Sequence, residues 1–285
     1  MLLHRLLSPR KDGNRALADL PWGLSMEVNP DEAIGRALLH TGLFDISAAE
    51  VMFRLLDEDE TVIDVGANIG FMTAAALSAR RSVNVIAFEP HPQLFDRLAR
   101  NRAMWTQQRP DTIGRLRLEQ AALSDKAGSA TLHVSDDFAT NQGIASLESP
   151  GGTAGGRSIS VKTLTFDEYV THNAPIGLVK IDTEGHEHAV LAGARTILEK
   201  RQVRDILFED HVGFDSAVCK LLSDLGYTIF FVAKLPWRPW LCDRPEAIRL
   251  AKSISFDSPN FLATLDPDRA RLRMSGFGYR CKAAA

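Results

Sequence analysis

Acidic residues and glycines follow two apolar, β-branched stretches of the chain in a pattern that suits nucleoside binding. The first stretch ends in DVGANIG, residues 64–70, where Gly66 and Gly70 allow a close backbone approach or a positive φ. About twenty residues further on, the next apolar stretch ends at Glu89, where an acid can accept hydrogen bonds from both hydroxyls of a ribose. The pattern predicts a nucleoside-containing cofactor between the loop and Glu89.

The residue types in this loop discriminate between two classes of cofactor. Asn68 stands at the third position of the dinucleotide fingerprint G-x-G-x-x-G, where glycine is required, and the loop has no Arg or Lys for a pyrophosphate. The loop therefore favours a ligand without phosphate, such as S-adenosylmethionine. Asp64 would lie near its ammonium group and the backbone of residues 66–70 near its carboxylate. A plain tight turn between strand and helix is the alternative that the glycines alone leave open.

A second group of ionisable residues lies in the segment KIDTEGHE, after another apolar stretch. Lys180 sits inside this stretch and needs a carboxylate or carbonyl partner, because burial of an unpaired charge is costly. We expect Asp182 or Glu209 to supply that partner. Glu184 joins the cluster as a candidate for acceptor orientation or proton removal, whereas Glu187 is explained by the dipole of the helix that follows.

The next predicted strand ends in Glu209-Asp210-His211, and this run has two interpretations. In one, a carboxylate or His211 is the general base that removes a proton from a nucleophile. In the other, Asp182 and Glu209, with Asp210 or His211, bind a divalent metal that lowers the pKa of a substrate hydroxyl. The metal is the less favoured interpretation, because it rests on analogy with other enzymes.

Apolar strands alternate with amphipathic helices from residue 61 onwards, which is typical of a parallel sheet covered by helices on both faces. The predicted strands are 61–65, 83–90, 116–123, 129–135, 158–164, 177–182, 205–210, 227–234 and 260–266. In such an α/β fold, ligands bind beyond the carboxyl ends of the strands, where the strand order reverses. The acids and glycines described above follow strands, so we expect them at one edge of the sheet.

We divide the chain into an N-terminal extension, residues 1–58, and an α/β domain, residues 59–285. The extension contains a predicted strand and two predicted helices. The second helix is expected to begin after the N-cap Ser47, with Glu50 completing a capping box. We expect the extension to form a lid over the acceptor or a dimer contact.

Aromatic residues outside the strands are candidates for contacts with an acceptor. Trp22 and Phe44 belong to the extension and are expected in the lid. The segment KLPWRPWL contains Trp237, Arg238 and Trp240, which suit stacking on a sugar or a protein contact. A surface loop that covers the edge of the sheet is the more economical interpretation of that segment.

The chain contains, in this order between about Trp22 and His211, the segments TVIDVGANIGFMTAAAL, VIAFEPHPQLFDRLARN, AALSDKAG, NQGIASL and LVKIDTEGHEHAVLAGA. These segments resemble the FkbM family of S-adenosylmethionine-dependent methyltransferases, which is named for a macrolide O-methyltransferase. The resemblance implies a doubly wound, Rossmann-like class I methyltransferase fold. Its seven-stranded sheet is mostly parallel, with one antiparallel strand. The reaction implied is methyl transfer to a hydroxyl oxygen.

The resemblance also implies which residues bind the cofactor. The cofactor loop, the ribose acid and the surroundings of the adenine fall on Asp64, Gly66, Asn68, Gly70, Glu89, Pro90, Ser124 and Asp125. For Ser124 and Asp125 a simple turn ahead of Lys126 is an equal alternative.

Composition excludes several classes of function. The chain has 285 residues and a net charge of −3, from 33 Lys+Arg against 36 Asp+Glu, so it lacks the basic field of a nucleic-acid-binding protein. Its three cysteines form neither a disulfide framework nor a metal knuckle, which favours a reducing, cytoplasmic location. The chain has no apolar run of the roughly 20 residues that a membrane span needs and no recognisable signal peptide.

The sequence thus predicts an S-adenosylmethionine-dependent O-methyltransferase that acts on a hydroxyl of a small molecule or glycan. The candidates for acceptor orientation and proton removal are Lys180, Asp182, Glu184, Glu209 and His211. One alternative is a nicotinamide-dependent oxidoreductase, although the Tyr-x-x-x-Lys pair of many such enzymes is absent. The other is a non-catalytic protein of the same fold that binds the cofactor.

Overall fold

A computed structural model describes residues 14–112, 114–135, 145–147, 156–170, 176–244 and 259–282 of the chain. Its strands are β1 (Ala16–Asp19), β2 (Ser25–Val28), β3 (Thr61–Val65), β4 (Asn84–Phe88), β5 (Leu116–Glu119), β6 (Ala122–Leu123), β7 (Gly128–Ser135), β8 (Ala145–Ser146), β9 (Gly156–Leu164), β10 (Ile176–Ile181), β11 (Val203–Glu209), β12 (Thr228–Lys234), β13 (Pro239–Cys242) and β14 (Asn260–Thr264). Its helices are α1 (Ala33–Thr41), α2 (Ile46–Leu55), α3 (Phe71–Ala79), α4 (Pro92–Gln108), α5 (Phe166–Tyr169), α6 (Glu187–Ala192), α7 (Arg195–Glu199), α8 (Ala217–Asp224) and α9 (Pro267–Met274).

The described strands form a main sheet of eight in the order β13-β12-β14-β11-β10-β3-β4-β5. Strands β5, β4, β3, β10 and β11 are mutually parallel, and β14 inserts antiparallel between β11 and β12. This is the expected α/β fold with a mostly parallel sheet. The order runs outwards in both directions from the β3–β10 pair, so the switch point of the sheet lies there.

The edge beyond β12 differs from the expectation of seven strands. Strand β13 pairs antiparallel with β12 and extends the sheet by an eighth strand, the second that runs antiparallel. Trp240 therefore belongs to a strand, whereas Trp237 remains 53% exposed beside it. The segment could be mistaken for a loop because its two prolines suppress the usual strand pattern, although proline is tolerated in edge strands.

A second sheet lies beyond β5. The predicted strand 116–123 is in fact two strands, with β5 in the main sheet and β6 paired parallel to β9. Strands β9, β7 and β8 then form antiparallel pairs. The chain changes sheets at Gln120 and Ala121, and the turn brings Ala121, Ala122 and Leu123 to the carboxyl edge of the main sheet.

The start of α2 corrects the predicted capping box. The N-cap is Asp45, whose carboxylate accepts a hydrogen bond from the Ala48 amide at 3.0 Å. Glu50 is fully buried and accepts hydrogen bonds from the Arg54 guanidinium and from the Arg280 and Cys281 amides. Ser47 and Glu50 matched the motif, but the N-cap lies two residues earlier, and Glu50 instead accepts hydrogen bonds from the turn Arg280–Lys282.

The extension shares its core with the α/β domain. Trp22 is only 4% exposed, lies against Phe53 and Phe71, and donates its indole N–H to the Cys281 carbonyl at 2.7 Å. The expectation that Trp22 lies in a lid is therefore wrong, because its side chain is needed in the core. In the part of the chain that the structure describes, no helix is long and apolar enough to span a membrane.

Candidate active site

A cavity of about 290 Å³ lies along the carboxyl ends of β3, β4, β10 and β11, where parallel α/β sheets bind ligands. The antiparallel β14 begins at this same edge, so its first residue also lines the cavity. The wall includes Gly66, Asn68 and Glu89 on one side and Asp182, Glu184 and Glu209 on the other. The structure therefore brings most of the predicted cofactor and acceptor residues to one cavity.

The glycine loop is held tightly against two strands. The amides of Gly66 and Ala67 both donate to the Phe88 carbonyl, at 3.0 and 2.9 Å. Gly66 has φ +74°, and a Cβ atom there would lie 1.9 Å from the carbonyl oxygen of Asp182. Only glycine fits, because the turns that follow β3 and β10 are in direct backbone contact.

Glu89 is the acid expected to bind a ribose, and its carboxylate is 4% exposed. It accepts hydrogen bonds from the Asn68 and His91 amides, each at 2.8 Å. Burial raises the pKa of Glu89 to about 7, although the two amides and the charge of Lys180 act in the opposite direction. A carboxylate has acceptor capacity for further donors, so two ribose hydroxyls suit it.

Asp64 has a different position from the one predicted. Its carboxylate is fully buried and does not line the cavity. One oxygen accepts a hydrogen bond from the Thr73 hydroxyl at 2.6 Å, and the other lies 3.5 Å from Nζ of Lys180. Contact between Asp64 and a cofactor ammonium stays a prediction, and the observed role of this residue is to hold Lys180.

Lys180 links the two sides of the cavity. Its ammonium group donates to the Gly66 carbonyl at 3.0 Å and lies 3.3 Å from a carboxylate oxygen of Asp182. Burial alone would lower the pKa of Lys180, but the charges of Asp182 and Asp64 outweigh it and raise that pKa. Asp182 or Glu209 was the expected partner of this lysine; Asp182 is observed in that place, and Asp64 is an additional partner that was not predicted.

The turn after β10 presents Glu184 at the rim of the cavity. Glu184 adopts φ +53°, which is uncommon for a residue with a side chain and often marks a functional site. Glu187 fixes this turn by accepting hydrogen bonds from the Thr183 amide and hydroxyl and from the Gly185 amide. Glu187 thus stabilises the turn by direct hydrogen bonds as well as by its place in the first turn of α6.

The pKa of Glu184 is raised to about 7. The main cause is desolvation by the surrounding protein atoms, although the residue itself is exposed at the rim, and the negative charges of Asp182, Glu209 and Glu187 add to it, while the charge of Lys180 acts in the opposite direction. A carboxyl group with this pKa exchanges its proton near neutral pH, which suits a general base.

The residues at the end of β11 separate into two groups. Glu209 lines the cavity, and its carboxylate lies 2.9 Å from Nε2 of His211. The His211 side chain is 77% exposed and is not part of the cavity wall. Asp210 accepts hydrogen bonds from the Val212 and Gly213 amides and so closes its own turn. Among the described residues, no group of three or more His, Cys, Asp or Glu side chains could hold a metal ion.

The predicted adenine region is only partly at the cavity. Pro90 lines it as predicted, together with Ala121, Ala122 and Leu123, which were not predicted. The Ser124 hydroxyl is buried and lies 2.9 Å from Nε2 of His186, which itself lines the cavity, whereas Asp125 is exposed. Cofactor contacts of Ser124 and Asp125 stay predictions.

Sequence reasoning missed several polar residues of the wall, and Asp45 and Asn260 are two of them. The Asn260 amide group donates to the carboxylate of Asp45 at 2.7 Å, across 215 residues of sequence. Phe44, a predicted lid residue, lines the cavity beside them and is 47% exposed. The one available signal was that an antiparallel strand begins at the edge where its parallel neighbours end, which places Asn260 beside Glu209.

Comparison with known proteins identifies relatives that cover most of this region. A family model described as the methyltransferase FkbM domain matches residues 64–229. Hexuronic acid methyltransferase AglP of Haloferax volcanii is 34% identical over 187 residues, which are 63% of this chain and 70% of that protein. The 31-O-demethyl-FK506 methyltransferase FkbM of Streptomyces tacrolimicus is 30% identical over 198 residues, which are 60% of this chain and 73% of that protein.

Solved structures give more distant matches. Methyltransferase FkbM from Methylobacillus flagellatus has a TM-score of 0.47 and 14% sequence identity, over 87% of this chain and 48% of that one. The chain thus spans about half the length of that protein. A precorrin-6y C5,15-methyltransferase from Geobacter metallireducens has a TM-score of 0.41 and 11% identity, over 76% of this chain and 87% of that one.

Proposed function

The chain belongs to the FkbM family of methyltransferases, and we propose that it methylates a hydroxyl oxygen of a sugar or other small molecule with S-adenosylmethionine as the donor. The observation that carries the proposal is that one cavity is lined both by the nucleoside-type residues Gly66 and Glu89 and by the carboxylates of Asp182, Glu184 and Glu209. The names of the two curated relatives, one a hexuronic acid methyltransferase, support this class of acceptor.

The residues present fit the donor. When bound, S-adenosylmethionine supplies an electrophilic methyl group on its sulfonium. We assign the ribose hydroxyls to the buried carboxylate of Glu89, and the methionine part to the backbone of the loop that contains Gly66, where no side chain is tolerated. Pro90, Ala121 and strand β6 supply an apolar wall for the adenine ring of the donor. Ser124 and Asp125 are assigned to the edge of this region.

We assign proton removal to Glu184. Asp182 is engaged in an ion pair with Lys180, and His211 lies outside the cavity wall, so these two predicted residues are less suited to the task. Glu184 stands at the rim on a turn fixed by Glu187, and its pKa of about 7 lets it accept a proton near neutral pH. Glu209 is assigned to orientation of the acceptor hydroxyl.

Lys180 is a positioning residue in this scheme. Its hydrogen bond to Gly66 and its ion pairs with Asp64 and Asp182 hold the donor loop and the acceptor turn at a fixed separation. Approximation of two reactants can supply several kcal/mol of the reduction in barrier, so a fixed separation is directly useful for catalysis.

Membership of a methyltransferase family decides against the nicotinamide-dependent oxidoreductase. We propose that no divalent metal takes part, since Asp182 is engaged in an ion pair with Lys180 and Asp210 accepts hydrogen bonds within its own turn.

The three cysteines are free and buried, which supports a reducing location such as the cytoplasm. Residues 1–13 of the extension lie outside the described residues; residues 14–58 are proposed to serve as part of the acceptor wall, and a homodimer through this segment is the other option.

The test is a calorimetric titration with S-adenosylhomocysteine, followed by a methyl-transfer assay. We expect micromolar binding by the wild type and loss of binding in Glu89→Ala, with Glu199→Ala on the exposed face of α7 as the control. Titration with NAD should give no heat of binding. Transfer should persist in EDTA. Cofactor binding without transfer to any hydroxyl acceptor would favour the non-catalytic alternative.

A further inference from the structure

Residues from two distant parts of the chain meet at the end of the cavity opposite Glu89. Asn260 is the first residue of β14 and pairs directly with Glu209, the last residue of β11. Asn260 and Glu89 stand four strands apart in the sheet, which corresponds to about 19 Å at the usual strand spacing of ~4.8 Å. This end of the cavity is therefore remote from the residue that binds the ribose of the donor.

Asp45 is held in a fixed orientation at this end. One carboxylate oxygen caps α2 by accepting from the Ala48 amide at 3.0 Å, and the other accepts from the Asn260 amide group at 2.7 Å. Asn260 is 6% exposed and Asp45 is partly buried, so their contact is only partly accessible to bulk water. A carboxylate and an amide each have capacity for several hydrogen bonds, so a fixed pair of this kind can also bind hydroxyl groups.

Phe44 adds an aromatic ring beside this pair. It is 47% exposed, lines the cavity, and makes an edge-on contact with Phe71 at a centroid distance of 6.5 Å. A large aromatic side chain that remains exposed in a cavity provides a flat apolar surface for a ligand. The C–H face of a sugar ring fits such a surface, while its hydroxyls fit the planar polar groups at its edge.

We propose that Phe44, Asp45 and Asn260 form the acceptor subsite and that they select a sugar ring, with Phe44 against its C–H face and the Asp45–Asn260 pair bound to its hydroxyls. This inference rests on the proposed function and names the substrate class of the same site. All three residues lie outside the family-matched segment 64–229, so the subsite is built from parts of the chain that the family model does not describe.

The test uses three acceptor probes with the full-length protein: p-nitrophenyl β-glucoside, p-nitrophenyl β-glucuronide and, as a flat non-sugar hydroxyl compound, 4-nitrocatechol. We expect the wild type to methylate at least one glycoside and to leave 4-nitrocatechol unmodified. Phe44→Ala should raise KM for the glycoside about tenfold, the change expected from the loss of one aromatic contact, with kcat within about twofold.

Variants of the polar pair separate recognition from folding. Asp45→Ser keeps an N-cap oxygen for α2 but removes the second oxygen that faces Asn260, and Asn260→Ala removes the partner. Both should raise KM about tenfold or more, with an unchanged Kd for S-adenosylhomocysteine. Phe277→Ala, which truncates an aromatic residue that is 84% exposed and outside the cavity wall, should match the wild type in every measurement.

Three results would overturn the assignment of a sugar subsite. Unchanged KM in all three variants would overturn it, and so would methylation of 4-nitrocatechol in preference to both glycosides. Wild-type protein that binds S-adenosylhomocysteine but neither methylates nor binds a glycoside, as measured by saturation-transfer NMR, would also overturn the sugar assignment. Failure to bind S-adenosylhomocysteine at all would instead be a failure of the proposed function.

Discussion

The ammonium group of Lys180 lies 3.0 Å from the carbonyl oxygen of Gly66, so a side chain from the middle of the sheet closes the loop that follows the neighbouring strand. The fully buried Asp64 and the half-exposed Asp182 lie within 3.5 Å of the same nitrogen. One lysine therefore neutralises a buried acid and ties the Gly66 loop, which we propose binds the donor, to the turn after β10, which we propose faces the acceptor.

Replacement of Lys180 should lower both the stability of the fold and the affinity for the cofactor. Lys180→Met leaves Asp64 buried without its counter-charge, and we expect a loss of about 3 kcal/mol or more in the free energy of unfolding. Chemical denaturation measures this loss. S-adenosylhomocysteine should also bind more weakly, because the Gly66 loop loses its restraint.

The double variant Lys180→Met/Asp64→Asn is the matched control. Removal of the unpaired charge should restore part of the stability, while turnover should stay low because the link between the loop and Asp182 is still absent. If Lys180→Met alone unfolded at the wild-type denaturant concentration, the ion pair would not have the structural role assigned to it.

Gly66 should tolerate no side chain. In Gly66→Ala the new Cβ would lie 1.9 Å from the Asp182 carbonyl, so the turns after β3 and β10 must separate, and cofactor binding should be lost. Gly23→Ala is the control, since Gly23 has a similar φ of +76° with nothing within 4 Å of a Cβ. It should cost only about 1 kcal/mol of stability and leave binding intact. Equal effects of the two substitutions on calorimetric binding would contradict the steric argument.

Cofactor affinity should depend on pH through Glu89. Its pKa is raised to about 7 by burial, so the ionised form that accepts ribose hydroxyls best is scarce at low pH and dominant at high pH. Between pH 6 and pH 8 the ionised fraction rises from about one tenth to about nine tenths, and affinity for S-adenosylhomocysteine should rise up to about ninefold. Glu89→Gln should bind weakly at every pH, and a wild-type affinity that falls over this range would reverse the assignment.

The rate of transfer should show the titration of Glu184. Because a base must be unprotonated, kcat should rise with pH and level off above an apparent pKa of about 7. Glu184→Gln should lower kcat by roughly 10²–10⁴-fold, and its kcat should no longer rise with pH around 7. Glu209→Gln removes a neighbouring negative charge that helps to raise the pKa of Glu184. In this variant the rise of any remaining kcat with pH should therefore occur at lower pH than in the wild type. If kcat of Glu184→Gln still rose with pH as in the wild type, another residue would be the general base.

His211 and Asp182 should differ in importance, although both were candidates from the sequence. The exposed His211 side chain is outside the cavity wall, so His211→Ala should keep kcat within a few-fold of the wild type. Asp182→Asn weakens the ion pair with Lys180 and should reduce kcat severalfold or more. Near-wild-type turnover in Asp182→Asn would show that its ion pair with Lys180 is not needed for catalysis, and a large loss of kcat in His211→Ala would show that His211 acts in the reaction.

The position of the site was accessible from the sequence for a simple reason. Parallel strands all end at the same edge of a sheet, so residues that follow apolar strands, such as Gly66, Glu89, Asp182 and Glu209, must lie near one another. That Lys180 has a carboxylate partner was also predictable, since a buried ammonium group requires one, although the sequence left Asp182 and Glu209 as alternatives and did not indicate Asp64. Local pattern and strand direction were sufficient for these conclusions.

Features that depend on chain packing were not accessible in this way. The sequence matched a capping box at Ser47 and Glu50, but burial against the C-terminal turn gave Glu50 other partners and left the cap to Asp45. His211 follows a strand like the other candidates, yet the local turn directs its side chain to solvent. A shift of one or two residues in where a helix or turn begins changes the direction in which each side chain faces, and local sequence patterns do not locate the ends of elements that closely.

The sequence by itself determined the α/β fold and the family, and it predicted that Gly66, Glu89, Asp182 and Glu209 lie at one edge of the sheet, because these conclusions depend on periodicity, strand direction and short runs of residues. Only the tertiary structure decided which residues lie at the far end of the cavity. Asp45 and Asn260 meet across 215 residues of sequence. Their contact exists because the antiparallel β14 begins at the edge where β11 ends and α2 packs over that edge. No local sequence pattern predicts this contact, because it follows from the packing of elements that are far apart along the chain.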